Sequence, residues 1–270
     1  MPTFRNLLHL SVLGLTSLLL WITLSAQAQD CSDQATAHPA FKWTGTEPLV
    51  LLTEYNPWAM AIGSDTPTFA LYADGTVIYW HGDRRSGHYV AAHLPSSQVA
   101  QLFDTARLNN IEGFKACYSI EDVTDQPTNV LVVKTEQGYK TIEVYGVIRN
   151  MENLPPSRLP TELQTAFRTL LAFDTAESHA WQPPYFEVII WPFTYAKSSV
   201  RWPASFPGVA DKNTQATRSG FRLYLPIADL DQYKAFVRKI KPTQAVLLDG
   251  RKWTVSARFP FPHEGAVGGL

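Results

Sequence analysis

Thr68-Phe69-Ala70-Leu71-Tyr72-Ala73-Asp74-Gly75-Thr76-Val77-Ile78-Tyr79-Trp80 is the stretch that decides the fold. Two runs of β-forming residues flank Asp74-Gly75, a dipeptide that supplies the positive φ angles of a tight hairpin. A two-residue turn there pairs Ala73 with Thr76. That register puts Phe69, Leu71, Ile78 and Trp80 on one face, and Ala70, Tyr72, Val77 and Tyr79 on the other. Neither face is strongly polar, so the hairpin is expected to be covered on both sides or partly exposed through its tyrosines.

Toward the C-terminus the period of the apolar residues changes to that of a helix. Val99, Leu102, Phe103 and Ala106 form one stripe after a Ser96 or Ser97 cap. A second hairpin, Asn129 to Tyr145, turns at Gln137-Gly138. Leu131, Val133, Ile142 and Val144 share its apolar face, with Lys134, Glu136, Thr141 and Glu143 opposite, the alternation of a half-solvated antiparallel ribbon. Thr161-x-x-Gln164 reads as a capping box opening a second helix. Strands Phe186 to Trp191 and Phe221 to Leu225 follow, then a third helix after Asp229 and a third hairpin turning at Asp249-Gly250. The pattern is α+β: antiparallel hairpins packed with three amphipathic helices. The proline break between Asp174 and Pro184 divides it into sub-domains at 29–175 and 176–270.

Toward the N-terminus, Arg5 precedes an apolar run from Leu7 to Leu24 and then Ala26-Gln27-Ala28. This is the order a signal peptidase reads, so residues 1–28 are expected to be a cleaved secretory leader. The competing reading is an uncleaved anchor, since the run approaches the length of a bilayer span. The mature chain is then secreted or periplasmic. It holds no further stretch apolar enough to span a membrane. Only Cys31 and Cys117 are present, and an oxidising compartment favours a disulfide between them over two separate thiols.

With 23 basic and 24 acidic residues, the chain gives no electrostatic reason to expect nucleic acid as a partner. No nucleophile elbow, P-loop or dinucleotide fingerprint occurs, which removes every specific enzymatic assignment. No cofactor or metal is expected. His88 and His93 are an odd number of residues apart on an extended segment, and His263-Glu264 lacks the second histidine of a zinc-protease helix.

Leu71-Tyr72-Ala73-Asp74-Gly75-Thr76-Val77-Ile78, Val123-Thr124-Asp125-Gln126-Pro127-Thr128 and Val144-Tyr145-Gly146 resemble motifs of an uncharacterised group of bacterial exported proteins and lipoproteins. Asp249-Gly250 through Arg258, Pro260, Pro262 and Glu264 is similar to the close of some of its members. The resemblance implies an exported protein and brings no activity with it. The lipid-accepting cysteine is missing, because Asp30 precedes Cys31.

Two groups of residues are candidates for function. Trp191, Tyr195, Trp202 and Phe206 lie among prolines, and rigid aromatics on a loop make a contact platform for a protein, peptide or glycan. Arg258 is expected to lock the C-terminus, by stacking on aromatic rings or by pairing with Glu264. The alternative to a binding protein is a hydrolase or metal-binding enzyme using Glu121, Asp122 and Asp125. It requires the three carboxyl groups to converge.

Overall fold

The computed structural model describes residues 45–61, 63–83 and 86–266. The expected leader at 1–28 and Cys31, one half of the expected disulfide, lie outside them. Strands β1 (Pro48–Tyr55), β2 (Phe69–Tyr72), β3 (Thr76–His81), β4 (His88–His93), β5 (Cys117–Ser119), β6 (Thr128–Thr135), β7 (Gly138–Tyr145) and β8 (His179–Ala180) form one sheet. Its order is β5-β7-β6-β1-β2-β3-β4-β8. Strands β9 (Tyr185–Pro192), β10 (Ser198–Arg201), β11 (Gln215–Ala216), β12 (Phe221–Pro226), β13 (Gln244–Leu248) and β14 (Arg251–Arg258) form the second, in the order β10-β13-β14-β9-β12-β11. Each sheet is antiparallel except at one edge pair, β5 with β7 and β10 with β13. Helices α1 (Ser96–Thr105), α2 (Thr161–Leu171) and α3 (Leu230–Val237) complete the α+β fold.

The first hairpin is one residue out of the expected register. Phe69 pairs with Tyr79 and Leu71 with Val77, leaving Ala73, Asp74 and Gly75 as a three-residue loop. Gly75 has φ 87°, the left-handed residue that closes such a loop, and its N–H donates to the Tyr72 carbonyl at 3.0 Å. The slip changes which side chains share a face. Phe69, Leu71, Val77 and Tyr79 join the first core cluster, and Ala70, Tyr72 and Ile78 join the opposite one. Both faces are covered.

Strand β1 is central and shows no polar alternation. Val50 and Leu52 face the helices while Leu51 faces the other way, all three buried. A strand covered on both faces reads as a continuous apolar run, here Leu49 to Leu52. Helices α1 and α2 cover the first face through Leu102, Ala106, Leu163, Ala166, Phe167 and Leu170. The second face is closed by Phe261, from the segment after β14, together with Trp181 and Tyr89. The middle of β6 is therefore buried on its second face too, where Val130 and Val132 pack, rather than half-solvated.

The expected caps do not form. Pro95 and Pro160 occupy the N-cap positions of α1 and α2, with no side-chain cap bond. The Pro95 carbonyl accepts from Gln98 and Val99, and Gln164 turns inward to donate to the carbonyls of Leu154 and Leu159. Proline lacks only its own N–H; the first-turn donors of the exposed residues Ser96 and Ser97 in α1 and Thr161 and Glu162 in α2 are left to water. Among the described residues no helix is long and apolar enough to cross a membrane.

Candidate functional site

The structure does not bring the three expected carboxylates together. Glu121 accepts from the Val147 N–H at 3.2 Å. Asp122 takes two hydrogen bonds from Arg158, at 2.6 and 2.5 Å, and this pairing holds its carboxyl below the usual range. Asp125 sits at φ 63°, and its carboxylate accepts from the adjacent Thr124 hydroxyl at 3.3 Å. Each carboxylate serves its own partner, so the shared proton chemistry or cation binding that a hydrolase would need has no common focus. Among the described residues no three His, Cys, Asp or Glu side chains form a cluster able to hold a metal.

The expected aromatic platform is mostly core. Trp202 and Phe206 are each 5 % exposed. Their rings lie 5.3 Å apart, and Trp202 meets Phe236 of α3 edge-on at 5.5 Å. The Trp202 indole N–H donates to the Pro207 carbonyl at 3.0 Å, so even its polar group is satisfied internally. Helix α3 has eight residues and cannot by itself cover a six-stranded sheet. The proline-rich loop fills the remainder. Trp191 is half-buried on β9, and only Tyr195 projects freely, leaning edge-on against Phe193.

The most heavily perturbed ionisable groups lie deep inside. Arg258 and Glu187 are directly opposite on β14 and β9, with Nε and Oε2 3.7 Å apart. Arg258 also pairs with Glu264, whose other oxygen accepts from the Phe261 N–H at 3.1 Å. Arg258 thus holds the segment that plugs the first sheet. Burial works against the arginine's charge, and the two carboxylates more than offset it, so its pKa is raised. Burial raises that of Glu264, with the nearby Glu187 charge pushing the same way against Arg258. Tyr55, Tyr89, Tyr185 and Tyr224 around this cluster are all raised by burial. With all three charged residues at 9 % exposure or less, the cluster serves as a structural latch out of reach of a substrate.

A different pair of loops offers a surface. Four large apolar side chains are well exposed among the described residues: Trp58 at 71 %, Met60 at 54 %, Val123 at 57 % and Tyr195 at 80 %. The first three belong to two loops that touch each other. The Trp58 indole N–H donates to the Asp125 carbonyl at 3.2 Å, and the Trp58 backbone N–H to Asn56 Oδ1 at 2.9 Å. Asp65 accepts from the Asn56 N–H across the same loop. On the other side the Tyr145 hydroxyl donates to the Val123 carbonyl at 2.9 Å and accepts from the Gln126 N–H at 3.1 Å. With Arg158 on Asp122, these bonds fix the backbone that carries Val123. Polar contacts here hold apolar side chains outward, the reverse of what a solvated loop needs.

The fold and this surface define a mixed α+β protein with exposed apolar side chains on two hydrogen-bonded loops. Compared with known proteins, the chain matches no protein-family model and no curated protein.

Proposed function

We propose that this chain is an exported binding protein that contacts a partner protein through Trp58, Met60 and Val123. The observation that carries the reading is the bond from the Trp58 indole to the Asp125 carbonyl. It pins a large ring in solvent, so a partner covers the ring without first ordering it. Export follows from the leader at 1–28, with a disulfide from Cys31 to Cys117. Support for the disulfide lies in the place of Cys117, which opens the edge strand β5 and is exposed. In the chain-entropy model such a bridge stabilises by roughly 4 kcal/mol, and reduction should lower stability by up to that amount.

Photo-crosslinking in the exporting cell tests the function. A photoreactive residue at Met60 should give a discrete adduct that is lost on Trp58→Ala. The same group at Glu136, at the far turn of the second hairpin, should give none. Equal yields at both positions would reject the platform as the contact surface.

A further inference from the structure

We infer that the partner presents a cationic segment to this platform, a lysine or arginine flanked by apolar side chains. The inference rests on the platform being the contact surface and adds the chemistry of what it receives. The Trp58 N–H is already bound, so the ring has no donor to offer a ligand. What remains is its apolar edge and its π face, and that face attracts ammonium and guanidinium groups.

The charges around it point the same way. Glu54, Asp65, Glu121, Asp122 and Asp125 lie on the two loops or at the strand ends that carry them. Facing them are Arg149, Arg158 and, against Gly63, Arg222. Among the described residues Arg149 pairs with Glu54 at 4.0 Å, Arg158 pairs with Asp122 and the buried Arg258 acts on Asp65, which leaves Glu121 and Asp125 as the carboxylates without an ion-pair partner. The carboxylate of Asp125 leaves the same residue whose carbonyl holds the indole, and its residue is exposed. An ammonium placed over Trp58 therefore meets a ring face and a carboxylate together. A carboxylate or phosphate placed there meets excess negative charge, so an acidic peptide or an anionic lipid surface fits badly.

The experiment uses the full chain labelled with fluorotryptophan, the Trp58 resonance being assigned by its loss in Trp58→Phe. Three peptides of the same apolar sequence, differing only in carrying Lys, Gln or Glu, are titrated in. The lysine peptide should shift the Trp58 signal and bind about tenfold more tightly than the glutamine peptide, with the glutamate peptide weakest. That preference should fall several-fold in Asp125→Asn and in Glu121→Gln, and in about 0.5 M salt. Asparagine tolerates the left-handed backbone at 125, and glutamine keeps an acceptor for Val147, so both variants retain the loop. Equal affinity for the lysine and glutamine peptides, or a preference for glutamate, overturns the inference while the cross-linking result for the platform stands. Failure of all three to move the Trp58 signal overturns it as well. So does a larger shift with zwitterionic vesicles than with the lysine peptide.

Discussion

Two stretches of this chain mix aromatics with prolines, and the fold treats them in opposite ways. Residues 191–206 contain Trp191, Phe193, Tyr195, Trp202 and Phe206, and most of that aromatic area is buried against the second sheet and α3. Residues 55–60 are shorter, Tyr-Asn-Pro-Trp-Ala-Met, and leave Trp58 and Met60 in solvent. Composition does not separate them. What lies underneath does. The longer loop runs over a sheet face that a two-turn helix leaves open, whereas the shorter one leaves the end of β1, where its polar groups bond back to Asn56, Asp65 and Asp125 and turn the ring outward.

The contrast is broken most directly by paired truncations. Trp202→Ala should cost about 3–5 kcal/mol in denaturant unfolding, the usual cost of emptying a buried aromatic site. Trp58→Ala should stay within about 0.5 kcal/mol of the parent. Comparable losses at the two positions would mean that one of the rings is misplaced.

A second test sharpens the difference between inside and outside ion pairs. Arg258→Ala leaves two buried carboxylates facing each other and should cost roughly 3–5 kcal/mol, with the segment after β14 losing hydrogen-exchange protection first. Arg158→Ala removes an exposed partner of Asp122, and its effect on stability should be too small to resolve. Replacing Arg258, Glu187 and Glu264 together with apolar residues should recover most of the loss of the single change.

The pH dependence separates the same two regions with a smaller effect. The folded pKa of Glu264 is raised above its ordinary 4.5, so its contribution to stability is full below about that value and is lost as pH rises through the folded value. Glu47, Asp122 and Asp174, on the surface, are lowered by their hydrogen-bond partners Lys134, Arg158 and Tyr79. Their contribution is present above the ordinary carboxylate range and fades as pH falls through the lowered values. Glu264→Gln should therefore flatten the fall in stability on the high-pH side and leave the acid limb in place. A steeper fall in the variant would contradict the assignment.

The three helices, the third hairpin and the pairing of Arg258 with Glu264 were legible from periodicity, turn chemistry and charge, whereas the second hairpin was legible only in its strands, since it turns at Glu136-Gln137, one residue before the expected Gln137-Gly138. Asp249-Gly250 makes the expected two-residue turn, with φ 49° and 73°. The same dipeptide at Asp74-Gly75 does not, because the Gly75 carbonyl accepts from Leu94 at 2.8 Å, a contact nineteen residues away that local sequence does not specify. Strand β1 lacked the alternation by which strands are recognised. The buried fate of Trp202 and Phe206 depended on the length of α3 relative to the sheet it covers. The exposure of Trp58 left one trace in sequence, the Asn56-Pro57 and Asp65 turn chemistry around it. That chemistry marks a loop and does not say which way a ring points.

The proposed function requires Trp58 and Met60 to stand out in solvent until a partner covers them. Radical footprinting, comparing the purified chain with the protein in its own compartment, tests it most directly. In the purified chain Trp58 and Met60 should label fastest and Trp202 and Trp253 slowest. In the cell, labelling of Trp58 and Met60 should drop several-fold while Tyr195 stays reactive. Unchanged labelling of Trp58 and Met60 between the two, or Trp202 reacting as fast as Trp58, would contradict the account.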